Sequence, residues 1–230
     1  MPLAGFQTKA ELVYERLRDA ILTAELRPGE RVNIDALSRE LGISKIPLRE
    51  AVQRLAGQGL VVQPNPHAGA QVAPLTLREM RGVYLARAAL EGLAARVAAT
   101  SIGDAELAAL QELHEQMRFQ FDAAEVASLP ELNRRFHTAI ATATHYATLQ
   151  ELADLTLLRV RHYRVGVRAE PAWTQVIAEH SAILDALRRR DAAAAERAAR
   201  DHVEWQLPAD PRATLDPTLI DLDDDHPSPV

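Results

Sequence analysis

The stretch SKIPLREAVQRL, residues 44–55, followed by Gly57 and Gly59, decides how the N-terminal part of this chain folds. Ser44 is a suitable N-cap, and Pro47 falls in the first helical turn, where its missing backbone N–H costs nothing. The two glycines end the helix. The stretch therefore predicts one short, capped helix.

The two faces of this helix differ in character. Leu48, Val52 and Leu55 recur at helical spacing, so we expect them to pack inward. The basic residues remain on or near the opposite face: Lys45, Arg49 and Arg54. A cationic helix with base-reaching side chains at its N-terminal end fits the major groove of DNA.

The residues before this helix predict a partner for it. Asn33 or Asp35 is expected to cap a shorter helix over residues 34–41, and Gly42 then turns the chain. Two short helices joined by a turn that contains glycine form a helix-turn-helix. For the helix pair alone, an ordinary helical hairpin is the commoner interpretation.

The residues on either side of the pair favour the DNA-binding interpretation. Residues 60–63 and 70–73 flank a loop rich in Pro, Asn and Gly at 64–69, which predicts a small β-hairpin, or wing. An opening helix is expected over residues 8–24. Three helices followed by a wing define a winged helix-turn-helix.

At this level of detail the chain resembles the winged helix of the GntR family of bacterial transcription regulators. The motif that carries the resemblance is Leu37-Ser38-x-x-Leu41-Gly42-Ile43-Ser44-x-x-Pro47-Leu48-Arg49-Glu50-Ala51-Val52-x-x-Leu55-x-x-x-Gly59-Leu60. The resemblance implies a homodimer that binds a palindromic double-stranded DNA operator. The residues expected at the DNA are Arg39, Ser44, Lys45, Ile46, Pro47, Arg49, Arg54 and Gly69.

Two departures from the family pattern affect this expectation. Lys45 stands where members usually carry arginine, which weakens bidentate reading of guanine. His67-Ala68-Gly69 replaces the commoner Gly-Arg-Gly type of wing tip. We therefore expect weaker base reading at Lys45.

The composition limits the class of protein. The 230 residues are 47% hydrophobic and 25% charged, which is enough for one large or two modest globular domains. The absence of cysteine excludes disulfides, thiolate zinc sites and thiol nucleophiles. No apolar run is long enough for a membrane span, and no signal segment is apparent. These features predict a cytoplasmic protein that does not interact with membranes.

The sequence predicts a mainly α-helical protein with three regions. We expect a winged helix-turn-helix over residues 1–75, an antiparallel all-α bundle over 76–207 and a disordered tail over 208–230. Most of the net charge of -6 lies in this Pro-rich tail, which has one basic and six acidic residues. The tail either only solubilises the chain or competes with DNA for the basic face.

Six helices are expected in the bundle, because alanine-rich helical periodicity replaces the β pattern after residue 75. They span roughly residues 77–100, 103–124, 130–144, 146–167, 171–190 and 191–206. The breaks between them are short, so neighbouring helices should run antiparallel. A bundle of this size can enclose a pocket.

Histidines carry the chemistry of this bundle. Asn133 and His137 are four residues apart and share one helix face, while His180 and His202 lie on the two later helices. Three imidazoles and an amide oxygen can hold one divalent cation, and zinc or nickel suits such ligands best. For a histidine taken alone, an ordinary core or surface position is the commoner interpretation.

The second domain also resembles the FCD ligand-binding domain of the FadR-like branch of the same family. In that domain an Asp-x-x-x-His helix face and two later histidines bind a metal, which implies the ligands Asn133, His137, His180 and His202 here. Asn133 stands where many members have aspartate, and a neutral amide should bind the metal more weakly.

The resemblance also implies an effector. The matching arginine of the first helix is Arg87, and we expect it to bind a small organic acid beside the metal, with Arg159 and His162 as further effector residues. The predicted function is therefore a ligand-responsive DNA-binding regulator, and a repressor by the habit of the family. A helical domain that only dimerises, or a His-metal hydrolase, is the alternative. No motif of an enzyme appears, so we expect no catalytic residues.

Overall fold

The structure is a computed structural model that describes residues 8–64, 68–169, 171–207 and 210–223. It divides into two compact units, which are described separately below. The N-terminal unit comprises the chain up to Glu79, Arg161–Arg168 and the chain from Leu215 onward. The helical unit comprises Met80–Val160 and Ala169–Thr214. Among the described residues, no helix is both long enough and apolar enough to cross a bilayer.

The N-terminal unit begins with three helices and a hairpin, as predicted. Its elements are α1 Lys9–Leu22, α2 Ile34–Leu41, α3 Lys45–Gly57, β1 Val61–Val62 and β2 Gln71–Val72. The Asn33 side chain caps α2 by accepting from the backbone N–H of Ala36 at 3.0 Å. Gly42 ends α2 in the left-handed conformation, with φ 62°, which glycine adopts without strain.

The core of this unit lies under α3. Leu48, Val52 and Leu55 are buried, as their spacing predicts, and α3 packs against both α1 and α2. The Ser38 hydroxyl donates to the carbonyl of Ile43 at 2.7 Å and holds the turn between the two shorter helices. The helix-turn-helix is thus stabilised both by burial and by a hydrogen bond across its turn.

The wing is a short antiparallel hairpin. Val61 pairs with Val72, and Val62 pairs with Gln71. Of the predicted wing loop at residues 64–69, Asn65, Pro66 and His67 lie outside the described residues. After the wing, β3 Leu75–Thr76 leads into α4 Leu77–Ser101.

The described part of the C-terminal tail carries secondary structure, which differs from the disorder expected from its composition. A helical turn, α10, spans Pro211–Thr214, and β4 Ile220–Asp221 pairs with β3 in parallel. Leu215 and Ile220 are buried, so two apolar residues anchor an otherwise acidic segment. The run at 224–225, where the acidic character is strongest, lies outside the described residues.

Gly166 explains how the tail fits into the N-terminal unit. Its carbonyl accepts from the backbone N–H of Asp216 at 2.8 Å, and a Cβ placed at Gly166 would lie 2.5 Å from Ile220 Cγ1. Only glycine allows this approach. Arg161–Arg168 therefore belongs to the N-terminal unit, although the sequence placed these residues in the helical domain; the predicted boundaries at residues 75 and 207 stay predictions.

The helical unit is built from six helices. They are α4 Leu77–Ser101, α5 Asp104–Asp122, α6 Leu129–Thr142, α7 Ala147–Arg164, α8 Trp173–Arg188 and α9 Ala192–Glu204, with a 3-10 turn at Val126–Ser128. The ends of α4 and α7 lie in the N-terminal unit. Each helix agrees with its predicted span to within a few residues. Small alanines of α4 and α9 pack with larger apolar side chains of α6 and α8 in one core, which lets the helices approach closely.

Candidate functional site

The predicted DNA-reading residues lie at the start of α3. Ser44, Lys45 and Arg49 are exposed, and Ile46 is 65% exposed, an unusual position for an isoleucine. An apolar side chain there suits contact with a thymine methyl group. Ser44 occupies the N-cap position, but its side chain makes no capping hydrogen bond, which leaves the hydroxyl available to a partner.

Lys45 and Arg39 have contacts within the helix pair. The Lys45 ammonium lies 2.6 Å from the Asp35 carboxylate, and the Arg39 side chain donates to the Asp35 carbonyl at 3.3 Å. Lys45 and Asp35 are both exposed, so this ion pair contributes little and leaves Lys45 able to turn to a phosphate or a base. Pro47 is half-buried.

Arg54 has a structural contact that the sequence did not reveal. Its guanidinium lies 3.7 Å from the centroid of the Tyr14 ring and 3.0 Å from the Glu11 carboxylate. Arg54 thereby helps to pack α3 on α1, while its contact with DNA stays a prediction. Gly69, in the wing, lies against the Arg31 guanidinium, which a side chain at this position would displace.

Three buried histidines come together in the helical unit. His137 lies on α6, His180 on α8 and His202 on α9, and one nitrogen from each ring lies within 4.8 Å of the other two. The Nε2 atoms of His137 and His202 are 3.3 Å apart. Two ligands of one tetrahedral zinc ion are also about 3.3 Å apart, given Zn–N bonds of about 2.0–2.1 Å.

Two carboxylates fix the orientation of these rings. His137 Nδ1 lies 3.0 Å from the Glu91 carboxylate, and His202 Nδ1 lies 2.8 Å from the Glu179 carboxylate. Because the carboxylates accept, each Nδ1 carries the proton, and the lone pair of each neutral ring is on Nε2. The two lone pairs face each other, an arrangement that a shared cation stabilises.

His180 adds the third ligand position. It is fully buried, and neither of its ring nitrogens has a hydrogen-bond partner in the part of the chain that the structure describes. Its ring stacks on Phe136, with centroids 4.1 Å apart and planes at 8°, so its position is set by packing. Two unpartnered buried nitrogens are costly unless a ligand satisfies one of them. The donor set therefore fits a divalent metal ion.

The pKa values agree with neutral imidazoles. Burial lowers the pKa of His137 to about 4 and lowers the pKa of His180 well below its ordinary value. Burial by itself would raise the pKa of Glu91, but Arg87 and the contact with His137 outweigh it and hold that pKa far below its ordinary value. At neutral pH the rings of His137 and His180 are therefore neutral and able to act as ligands, and Glu91 is an anion.

Arg87 is buried at the edge of this cluster. Its Nε donates to the Glu91 carboxylate at 2.6 Å, its NH1 group donates to Gln206 Oε1 at 3.1 Å, and its NH2 group lies 3.4 Å from His137 Nε2. The side chain is 1% exposed, which excludes the surface ion pair that a lone arginine usually makes. Arg87 thus lies beside the Nε2 atom of His137, which faces the other clustered histidines.

The remaining residues that the sequence predicts at the metal or the effector are Asn133, Arg159 and His162. Asn133 is half-buried one turn before His137 on α6, and no structural observation assigns it as a ligand. Arg159 is half-buried on α7. His162 belongs to the N-terminal unit, where it is buried with Nε2 unpartnered among the described residues, and burial lowers its pKa to about 4. The structure does not include it among the clustered histidines, and its role at an effector stays a prediction.

The cavity beside the cluster is small. Glu91 and His137 line it together with apolar side chains of the core, and its volume is about 10 Å³, enough for the centre of one water molecule. Arg159 is not among its lining residues. A cavity of this size does not admit an organic acid.

Sequence reasoning missed three residues of the site: Glu91, Glu179 and Gln206. Glu91 and Glu179 orient the rings of His137 and His202, and Gln206 lies between Arg87 and His202. A signal for Glu91 existed, since it follows Arg87 by four residues and shares its helix face. The other two contacts join different helices or a helix end, and no local pattern indicates them.

Comparison with known proteins identifies the class to which this architecture belongs. Residues 9–69 match the model of the gntR family of bacterial regulatory proteins, and residues 82–204 match the FCD domain. A winged helix-turn-helix before such a helical domain defines a DNA-binding transcriptional regulator, not an enzyme. The chain belongs to the GntR family of bacterial regulators and carries an FCD domain.

Relatives agree with this assignment. The chain is 30% identical over 216 residues to an uncharacterised HTH-type transcriptional regulator, BphR, of Paraburkholderia xenovorans, covering 90% of this chain and 87% of that protein. It is 29% identical to the HTH-type transcriptional repressor RspR of Escherichia coli, covering 84% of each. The solved structure of E. coli McbR/YncC has the same fold, with a TM-score of 0.70, 22% identity and coverage of 87% and 95%.

Proposed function

We propose that this regulator binds its operator as a homodimer and responds to a small carboxylate at a metal centre. The clustered histidines carry the metal part of the proposal: His137, His180 and His202 would hold the ion, with Asn133 as an additional oxygen ligand. The main support is that the Nε2 atoms of His137 and His202 are 3.3 Å apart with their lone pairs facing each other. A bound divalent ion supplies a Lewis-acidic position for an anionic ligand.

Charge supports an anionic effector. Around the histidines, Arg87 contributes one positive charge, while Glu91 and Glu179 contribute one negative charge each. This group alone is net negative, which favours a divalent cation, and with the cation it becomes net positive. A carboxylate neutralises that excess, and the guanidinium of Arg87 can bind it with two parallel hydrogen bonds. Arg159 and His162 are further candidates on α7.

At the DNA, we propose that Arg39, Ser44, Lys45, Ile46, Pro47, Arg49 and Gly69 form the contact surface. Arg49 is the main base-reading residue, because it is exposed on the outer face of α3. We propose repression relieved by the effector, although relatives include both the RspR repressor and an activator of the glc operon in E. coli. The effector changes DNA affinity only by binding the two conformations with different strengths.

The test is the effector response of the metal-loaded protein on its operator. Small carboxylates are screened by DNA-binding anisotropy on the parent and on Arg87→Lys, which keeps the buried charge but loses the fork. We expect an active carboxylate to shift operator affinity of the parent, and the variant to need at least about tenfold more of it. An unchanged response in Arg87→Lys would remove this arginine from the effector site.

A second reading is that the helical domain only dimerises. It is supported by the small size of the cavity, which does not admit an organic acid in this conformation. Under that reading, neither a chelator nor any carboxylate changes operator affinity. The same anisotropy measurement therefore separates the two functions.

A further inference from the structure

Gln206, just beyond the end of α9, lies between the arginine and one of the clustered histidines. Its Oε1 accepts from the NH1 group of Arg87 at 3.1 Å, and its Nε2 lies 3.0 Å from His202 Nε2. Arginine has only donors, so the atom of Gln206 that faces it must be the oxygen. The orientation of the amide is thereby determined, and its nitrogen faces His202.

The direction of the second hydrogen bond follows from the protonation of the ring. His202 Nδ1 contacts the Glu179 carboxylate and must donate to it, so Nε2 is the acceptor nitrogen. The amide N–H of Gln206 therefore donates to the lone pair of His202 Nε2. The same amide nitrogen also donates to the carbonyl of His202 at 3.1 Å, which holds it against the ring.

This lone pair is the one that a metal at the histidine cluster requires. His202 Nε2 is the nitrogen that faces His137 Nε2, and it is the only nitrogen of His202 that the Glu179 carboxylate leaves unprotonated. A single lone pair cannot be shared fully between an amide proton and a metal ion. Hydrogen bonding by Gln206 and metal ligation are thus alternatives at this atom.

We propose that Gln206 gates the metal site: its amide N–H competes with the metal for His202 Nε2 and so lowers the affinity of the site and slows metal entry. Arg87 supports the gate by holding the amide oxygen, which keeps the N–H directed at His202. This inference rests on the proposed metal-binding function. It gives Gln206 a role that is distinct from ligation, because the residue acts by weakening binding.

The experiment is a metal titration of the full-length protein after treatment with a chelator. Zinc is titrated in competition with a chromophoric chelator, and its association rate is followed by stopped flow. The variant is Gln206→Leu, which keeps much of the side-chain volume and removes the donor. The matched control is Gln116→Leu, because Gln116 is an exposed glutamine of the same unit that bonds only to Glu112 on its own helix among the described residues.

We expect Gln206→Leu to bind zinc about three- to tenfold more tightly than the parent and to take it up faster, as loss of one competing hydrogen bond implies. Gln116→Leu should match the parent. Equal or weaker binding by Gln206→Leu, with the parent binding zinc, overturns the gate and leaves the metal site in place. Failure of the parent itself to bind zinc or nickel overturns both the gate and the metal-dependent function.

Discussion

Replacement of Glu91 by glutamine tests the buried charge network most sharply. Glu91 accepts from Arg87 at 2.6 Å and from His137 Nδ1 at 3.0 Å, and all three side chains are buried. Glutamine has nearly the same shape but carries no charge. The change therefore leaves the Arg87 guanidinium buried without its counter-ion.

The size of the effect follows from this burial. Breaking a buried ion pair by removing one partner costs about 3–5 kcal/mol in the free energy of unfolding. Arg200 and Glu204 provide the matched control, because they form the same type of pair at the same helical spacing but are about half exposed. Glu204→Gln should change the free energy of unfolding by at most about 0.5 kcal/mol.

The assay is urea unfolding in the presence of a chelator, followed by tryptophan fluorescence. The chain has two tryptophans, Trp173 and Trp205, and both belong to the helical unit, so the signal reports on that unit. Because the pKa of Glu91 lies below its ordinary value of 4.5, the stabilisation it gives is present above that pH and is lost as the pH falls through the lowered value. The difference between parent and variant should therefore be largest near pH 7 and shrink below about pH 4.5.

Equal midpoints for Glu91→Gln and Glu204→Gln at pH 7 would refute this reasoning. Such a result would mean that Arg87 is solvated or paired elsewhere when Glu91 is neutral. A smaller slope of unfolding free energy against urea concentration, with an unchanged unfolding midpoint, would instead indicate a change in the unfolding transition itself.

Four further substitutions have defined outcomes. Arg49→Ala should weaken operator binding by about 1–3 kcal/mol and relax specificity at one base position, whereas Arg54→Ala should mainly lower the melting temperature. DNA-binding anisotropy measures the first effect and thermal circular dichroism the second, and normal operator binding by Arg49→Ala would exclude its base-reading role. The pKa of His162 is lowered to about 4, so between pH 6.5 and 4 the unfolded chain binds a proton at this ring that the folded chain does not bind, and stability falls with falling pH. His162→Gln should remove up to about 3 kcal/mol of that loss in urea titrations followed by circular dichroism, and an unchanged pH dependence of stability would contradict this prediction. Ile220→Ala should destabilise the N-terminal unit by about 2–5 kcal/mol, because the Ile220 side chain is buried against Gly166. The measurement is again urea unfolding followed by circular dichroism, and an unchanged unfolding midpoint would mean that the tail does not pack there.

Local patterns were sufficient for the regular elements of this fold. The predicted helix at residues 34–41 coincides with α2, since a capping asparagine and a left-handed glycine mark its two ends. The tail was harder, because β4 is only two residues long and pairs with β3 across most of the chain. Its acidic composition indicates solvation, while the burial of Leu215 and Ile220 depends on partners far away in sequence.

At the site, too, the sequence predicted what local patterns indicate and missed the contacts between helices. The histidines were found because Asn133 and His137 share a helix face and the family pattern indicated the other two. The side chains that orient or block them were not found, since the contact between Glu179 and His202 links two helices. Such contacts depend on how helices pack, which hydrophobic periodicity constrains only loosely.

The most direct test of the account is the metal content of the purified protein, measured by elemental analysis without a histidine tag and without chelator. The parent, His180→Ala and His162→Ala are compared, the last as a control that removes a buried histidine from the other unit. We predict about one zinc or nickel ion per chain in the parent and in His162→Ala, and none in His180→Ala. No metal in the parent after incubation with zinc and with nickel, or equal metal in the parent and His180→Ala, would contradict the assignment of the histidine cluster as a metal centre.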